Sequence, residues 1–108
     1  MKNTEISKVL TEGKSYRSNS FLLKTLPSEN KKELAKPAFI SGKKIFKTAA
    51  LRNKARRRAR AAFVSFRKEL KTDYHLVFNL YEKVLSIPLS ELVSEMKDTL
   101  EKSGMLTR

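Results

Sequence analysis

Apolar residues recur along the 108-residue chain with two different periods, which predicts both helices and strands. Residues 48–71 carry a helical pattern, because apolar side chains return there every three or four positions. That stripe consists of Leu51, Ala55, Ala59, Ala62, Phe63, Phe66 and Leu70. Residues 74–81 alternate instead, which predicts a strand. Its expected faces are Tyr74, Leu76, Phe78 and Leu80 on one side and His75, Val77, Asn79 and Tyr81 on the other.

Shorter elements flank these two. A first helix is predicted over residues 4–10, with Thr4 as its N-cap and Gly13 as its stop. Clustered apolar residues predict strands over residues 16–26 and 38–42 and are compatible with a very short one at Ile45 and Phe46. Residues 28–36 are polar and are expected to form a loop, whereas Thr72 and Asp73 end the long helix. A last amphipathic helix is predicted from Pro88 to near Gly104.

The predicted element order is α-β-β-β-α-β-α, which belongs to the α+β class. Too few strands are available to close a barrel, so the simplest architecture is a sheet of about four strands with three helices packed on it. The chain length suits one domain, which we expect to span residues 1–108.

Charge is strongly segregated along the chain. There are 24 lysines and arginines against 11 acidic residues, which gives a formal net charge of +13. Twelve of the basic residues lie between Glu33 and Glu69, an interval without any acidic residue. The remaining twelve are nearly balanced by the acids. Such a single-sign block indicates a polyanionic partner, because solubility alone is served better by mixed charges.

The arginines of the long helix fit phosphate chemistry. Arg52, Arg56 and Arg60 are spaced i, i+4, i+8, and Arg57 and Arg58 widen that ridge. A guanidinium forms two parallel hydrogen bonds with a phosphate. DNA and membrane partners are not expected. No compact two-helix unit surrounds this helix, its apolar face is needed for the core, and the chain contains no tryptophan.

Several other functions are excluded or disfavoured. The chain has no cysteine, no apolar run long enough for a membrane span, and no apolar segment typical of a secretory signal near its start. We therefore expect a soluble cytoplasmic protein. His75 is the only histidine, and the acids Glu91, Glu95 and Asp98 are interleaved with lysines as on a solvated helix face. No catalytic residue and no metal ligand is predicted.

The basic segment also resembles a known family. Lys43-Lys44, a short spacer, and then Arg52-Asn53-Lys54-Ala55-Arg56-Arg57-Arg58-Ala59-Arg60 is similar to the signature of the bacterial ribonuclease P protein subunit. The resemblance covers about residues 5–106 and extends to Phe21-Leu22-Leu23, Asp73-Tyr74 and Ser103-Gly104-Met105-Leu106. It implies a compact α/β sandwich with a left-handed βαβ crossover.

The resemblance also implies a function. A member of this family is expected to bind the catalytic ribonuclease P RNA and the 5′ leader of precursor tRNA, and to assist endonucleolytic removal of that leader. The RNA subunit, using Mg²⁺, is expected to perform the chemistry, and the protein itself binds no cofactor. The runner-up is a structural or assembly RNA-binding protein without a role in cleavage.

Position by position, the resemblance and the basic helix assign candidate RNA-binding residues. They are Lys43, Lys44, Lys47, Arg52, Asn53, Lys54, Arg56, Arg57, Arg58 and Arg60. The amide of Asn53 can either bind RNA or organise the helix start. The candidate leader-binding residues are Ile6, Leu10, Tyr16 and Lys24. The family usually carries aromatic side chains at three of these positions, where this chain has Ile6, Leu10 and Lys24, so leader contacts are expected to be weaker or to depend on charge.

Overall fold

The computed structural model describes residues 3–28, 37–71 and 74–106. The helices are α1 (Asn3–Glu12), α2 (Ala49–Val64) and α3 (Leu89–Lys102). The strands are β1 (Lys14–Arg17), β2 (Phe21–Pro27), β3 (Ala38–Ile40) and β4 (Tyr74–Leu80). Short 3-10 helices at Arg67–Glu69 and Glu82–Leu85 follow α2 and β4. The predicted order α-β-β-β-α-β-α is confirmed.

The four strands form one mixed sheet in the order β1-β2-β4-β3. The pairs β1–β2 and β2–β4 are antiparallel, whereas β3 runs parallel to β4. Helix α2 connects β3 to β4, so these three elements form the βαβ crossover. Its left-handed sense stays a prediction from the resemblance.

Helices pack on both faces of the sheet. One face buries an apolar row beneath α2 and α3, formed by Phe21, Leu23, Leu76, Phe78 and Leu80. Helix α1 contacts β2 and β4, and Val9 and Val77 are fully buried outside the main apolar cluster. Since successive residues of a strand point to opposite faces, Val77 and Phe78 serve different layers.

Phe78 is the centre of an aromatic cluster in the main core. Its ring centroid lies 5.3 Å from that of Phe21, 5.2 Å from that of Phe39 and 5.8 Å from that of Phe63. The cluster therefore joins β2, β3, β4 and α2. The Phe21 and Phe63 rings meet Phe78 edge to face, a favourable arrangement for aromatic quadrupoles.

The single strand predicted over residues 16–26 is wrong, because the chain turns back within it. The N–H of Ser18 donates to the carbonyl of Phe21 at 2.8 Å, which closes a turn between β1 and β2. Glu95 of α3 holds this turn. Its carboxylate accepts from the Ser18 hydroxyl and from the Ser20 N–H and hydroxyl, the last two at 3.1 Å each.

The segment before α2 is a turn rather than the short strand considered at Ile45 and Phe46. The N–H groups of both residues donate to the carbonyl of Gly42, at 3.2 and 2.9 Å. Phe46 is fully buried and Ile45 is exposed. The Thr48 hydroxyl then caps α2 by accepting from the N–H of Leu51 at 3.2 Å.

Helix α2 ends at Val64, although the apolar stripe predicted a helix to residue 71. Phe66 is buried, and Leu70 forms a β-bridge with Leu106, a backbone pairing that a continued helix would not allow. The N–H of Lys71 donates to the carbonyl of Met105 at 2.8 Å. The other end of the stripe is also corrected, because Leu51 is 40% exposed and not part of the core.

The first helix is longer than predicted and begins before Thr4, so the N-cap assigned to Thr4 is wrong. Gly13 follows the helix directly, as expected. A Cβ atom there would lie 2.5 Å from the carbonyl oxygen of Val9 and 3.0 Å from that of Thr25. This close approach of α1 to β2 requires glycine.

The last helix and the final strand agree with the sequence. In α3, Leu92, Met96 and Leu100 are buried, and Gly104 has a positive φ of 73° just beyond its end. Most of the predicted loop, residues 29–36, and the predicted helix breakers Thr72 and Asp73 lie outside the described residues.

The burial of Phe66 gives a first testable prediction. We expect Phe66→Ala to lower the free energy of unfolding by about 3–5 kcal/mol, because the ring fills the core where the chain leaves α2. Urea denaturation measures this loss. Val64→Ala is the matched control, since Val64 is 60% exposed, and should change stability by less than about 0.5 kcal/mol. Equal effects of the two substitutions would contradict the assigned core.

Candidate nucleic-acid interface

Three arginines of α2 lie in a row beside β3 and the turn that follows it; Arg52, Arg56 and Arg60 are called the arginine row below. Nη1 of Arg52 donates to the carbonyl of Phe46 at 3.0 Å. Nη1 of Arg56 donates to the Ser41 hydroxyl at 2.9 Å. The Cζ of Arg60 lies 6.0 Å from the centroid of the Phe39 ring. The predicted i, i+4, i+8 spacing thus gives a continuous row along one edge of the sheet.

These contacts fix the guanidinium groups but leave several of their N–H donors available. Each guanidinium has five N–H donors, of which the recorded contacts use one in Arg52 and two in Arg56. The remaining donors can pair with phosphate oxygens. Ser41 and Phe39 support the row, a role that the sequence does not reveal because only the parallel pairing of β3 with β4 brings this segment beside α2.

Asn53 has a defined structural role. Its Oδ1 accepts a hydrogen bond from Nη2 of Arg56. This contact orients an arginine, whereas the start of α2 is capped by Thr48, so RNA binding by Asn53 stays a prediction. The Asn53 side chain is exposed.

The remaining basic candidates, with the exception of Arg58, lie as exposed side chains in the β3–α2 turn and on α2. Lys43 and Lys44 lie in the turn after Gly42, Lys47 precedes the N-cap, and Lys54 and Arg57 lie on the solvent side of α2. All five are exposed. Nine of the ten predicted RNA-binding residues thus lie in the β3–α2 turn and on α2 with side chains available to a ligand. Lys54 projects about 160° around the helix from Arg56, so it does not share the edge that carries the arginine row.

Arg58 is directed elsewhere. Its Nε donates to the carbonyl of Val84 at 2.9 Å, and its Nη2 donates to the carbonyl of Ile87. Both carbonyls belong to the segment between β4 and α3, on the side of α2 away from the arginine row. The guanidinium thus binds backbone acceptors within the fold, a role that the run Arg56-Arg57-Arg58 does not reveal.

The predicted leader-binding residues are only partly brought together. Ile6 and Leu10 are half-buried on α1, and Lys24 of β2 lies under the same helix, where its Nζ donates to the carbonyl of Leu10. Tyr16 pairs with Leu23 and packs against the main core, on the opposite face of the sheet. The structure therefore separates Tyr16 from the other three residues.

Of the three acidic residues expected on a solvated helix face, Glu91 and Asp98 are exposed, whereas the expectation is wrong for Glu95, which is half-buried. Glu95 binds the β1–β2 turn, and Asp98 pairs with Lys102 at 3.0 Å. Among residues 3–28, 37–71 and 74–106, no three histidine or acidic side chains converge as a metal site. None of the described helices is long and apolar enough to cross a membrane.

Comparisons with known proteins agree on one family. The family model described as Ribonuclease P matches residues 1–104. The chain is 35% identical over 69 residues to a ribonuclease P protein component of Lactobacillus johnsonii, a match that covers 64% of this chain and 56% of that relative. It is 29% identical over 105 residues to the ribonuclease P protein component of Shouchella clausii, covering 97% of this chain and 84% of the relative.

Solved structures show the same fold. The RNase P protein of Staphylococcus aureus superposes with a TM-score of 0.81 at 16% identity, covering 98% of this chain and 94% of that one. The RNase P protein of Thermotoga maritima gives a TM-score of 0.77 at 17% identity, covering 91% and 90%. At these identities the likeness establishes the architecture of three helices and a four-stranded mixed sheet.

The contrast between Arg57 and Arg58 is testable. We expect Arg58→Ala to lower the free energy of unfolding by about 1–3 kcal/mol, because two backbone carbonyls lose a charged donor. Arg57→Ala, which removes the same charge from an exposed neighbour, should stay within about 0.5 kcal/mol of the parent. Urea unfolding of both variants measures the difference. If both variants match the parent, the contacts of Arg58 do not stabilise the fold.

Proposed function

Because the chain belongs to the ribonuclease P protein family, we propose that it is the protein subunit of a ribonuclease P holoenzyme. In this proposal it binds the catalytic RNA and the 5′ leader of precursor tRNA, and it assists endonucleolytic removal of the leader. The arginine row is the observation that carries the proposal. Three guanidinium groups of known spacing line one edge of the sheet, and the turn that leads into α2 carries three exposed lysines, Lys43, Lys44 and Lys47.

The row suits an RNA backbone for two reasons. Guanidinium groups form charge-assisted, bidentate hydrogen bonds with phosphate, and such contacts fix orientation as well as charge. Binding of several phosphates also releases condensed counterions, which makes affinity steeply dependent on salt. With about six to nine phosphates neutralised, the slope of log affinity against log salt would be about −5 to −8.

Within the holoenzyme, we assign binding and positioning to this protein and the chemistry to the RNA subunit with Mg²⁺. The side chains support that division. The carboxylates of Glu95 and Asp98 are engaged by serines and by a lysine, and His75 lies within β4. None of these groups is paired as a general acid and base.

Leader binding is proposed for the face of the sheet that carries α1. Ile6 and Leu10 offer aliphatic contact there. The ammonium of Lys24 is already directed to the carbonyl of Leu10, at the C-terminal end of α1. Since aromatic stacking contributes about 1–3 kcal/mol per base, contacts made by Ile6, Leu10 and Lys24 in place of aromatic side chains should hold the leader less tightly than the catalytic RNA is held.

The interface is tested by charge removal. Arg56→Ala combined with Arg60→Ala should weaken binding to a bacterial ribonuclease P RNA and reduce the salt slope by about one and a half to two, with the fold intact. Lys97→Ala combined with Lys102→Ala is the control, since it removes two exposed charges of α3. If both double variants lose the same amount of RNA affinity, only net charge matters and the assigned interface is refuted.

The function is tested by cleavage of precursor tRNA. At low Mg²⁺ and near-physiological salt, a bacterial ribonuclease P RNA should cleave at the mature 5′ end much faster with the protein than without it. Gel analysis of the released leader measures this. Stimulation distinguishes the proposal from an RNA-binding protein without a role in cleavage. Equal binding to the ribonuclease P RNA and to an unrelated RNA of the same length, without stimulation, would favour that alternative.

A further inference from the structure

An open groove lies at the start of α2, on the flank of the helix that carries Arg58 and not on that of the arginine row. It has a volume of about 610 Å³, within the range of ligand-binding clefts. Its lining combines aliphatic and charged side chains: Lys44, Ile45, Lys47, Leu51 and Glu82. The groove is thus built from the β3–α2 turn, the first turn of α2 and the 3-10 helix after β4.

The aliphatic part of the groove is unusual for its position. Ile45 is 41% exposed and Leu51 is 40% exposed, in the most basic part of the chain. Single exposed aliphatic residues are common on protein surfaces, but these two line the same cavity. Both are fixed by backbone contacts, since the N–H of Ile45 donates to Gly42 and that of Leu51 donates to the Thr48 hydroxyl. The apolar surface is therefore present before any ligand binds.

The groove carries both positive and negative side chains, which would bind different groups of a ligand. Lys44 and Lys47 offer ammonium donors to an anion. The carboxylate of Glu82 forms no ion pair with a described residue, although both lysines line the same groove. Two carboxylate oxygens accept a pair of adjacent N–H donors.

The aliphatic surface, the two lysines and the carboxylate of the groove together match one unpaired nucleotide. The flat base fits against aliphatic side chains, the flanking phosphates match the lysines, and the carboxylate accepts N–H groups on the edge of the base. Guanine fits best because its N1–H and N2–H lie side by side, whereas uracil presents one N–H between two carbonyl oxygens that repel a carboxylate. We propose that the groove binds a single unpaired guanine nucleotide of the RNA that the protein binds. The proposal rests on the proposed function for the RNA that supplies this nucleotide.

The direct test uses short RNA and the full-length protein. The pentamers UUGUU and UUUUU are titrated at one fixed salt concentration while the methyl resonances of Ile45 and Leu51 are followed by NMR. Both resonances should shift with UUGUU, and affinity for UUGUU should exceed that for UUUUU by about fivefold, as for one bidentate base contact. The Val64 methyls, at the other end of α2, should not shift. Unchanged Ile45 and Leu51 resonances, or equal affinity for both pentamers, would overturn the proposal.

Two substitutions separate the base contact from general electrostatics. Leu51→Ala should weaken binding of UUGUU by about three- to tenfold, whereas Val64→Ala on the same helix should not. Glu82→Gln should abolish the preference for guanine, whereas Glu91→Gln, which removes an exposed charge from α3, should retain it. If Glu82→Gln instead raises the affinity for both pentamers by the same factor, the carboxylate acts only through its charge and the base contact is refuted.

The proposal and the proposed function fail in distinguishable ways. If the parent protein stimulates leader removal while Leu51→Ala and Glu82→Gln bind both pentamers like the parent, the groove proposal is wrong and the function stands. If the parent does not stimulate cleavage but retains its preference for UUGUU, the function is wrong and the groove still binds a base. If the methyl resonances of Leu51 shift with protein concentration in the absence of RNA, the groove is a self-association surface and its role in nucleotide binding is overturned.

Discussion

The close packing of α2 on the core is the constraint on which the rest of the structure depends. Ala55, Ala59 and Ala62 are fully buried, so the helix meets its support with almost no side-chain volume along most of its inner face. Phe63 then anchors the end of the helix against Phe78 and Phe39. Because the helix lies so close, the arginines on its flanks can reach the backbone and hydroxyl groups of neighbouring elements. Larger residues at the alanine positions would lift the helix and break those contacts.

This arrangement explains how one helix carries so many like charges. Neighbouring guanidinium groups repel each other, but Arg52, Arg56 and Arg58 each donate to an acceptor within the fold. The acceptors lie on both flanks of α2, so the charge is spread around the helix. Two adjacent arginines therefore differ in function, because Arg57 extends into solvent and Arg58 fastens α2 to the segment before α3.

Much of the fold could be predicted from local pattern. The helical period located α2, the alternation located β4, and the apolar stripe after Pro88 located α3. Features that depend on distant partners could not be predicted. The turn that splits β1 from β2 is held by Glu95, 75 residues from Ser20. Likewise, α2 stops early because Leu70 pairs with Leu106.

The candidate site shows the same division between local and distant information. Spacing alone placed Arg52, Arg56 and Arg60 in one row. It could not place Tyr16 and Lys24, since their faces depend on the register between β1 and β2, and the structure puts them on opposite sides of the sheet. The exposure of Leu51 follows from the start of α2 at the rim of the core, where the helical stripe continues but the opposing layer does not.

The hydrogen bonds within the arginine row also have an entropic consequence. A free arginine side chain loses conformational entropy when a ligand fixes it, at a cost of about 0.5–1.5 kcal/mol. Arg52 and Arg56 have already lost most of that freedom, because Phe46, Ser41 and Asn53 hold their guanidinium groups. That cost is met during folding, when the core can offset it. A phosphate that arrives at the row therefore meets donors fixed in place, and a larger share of its contact energy remains as affinity.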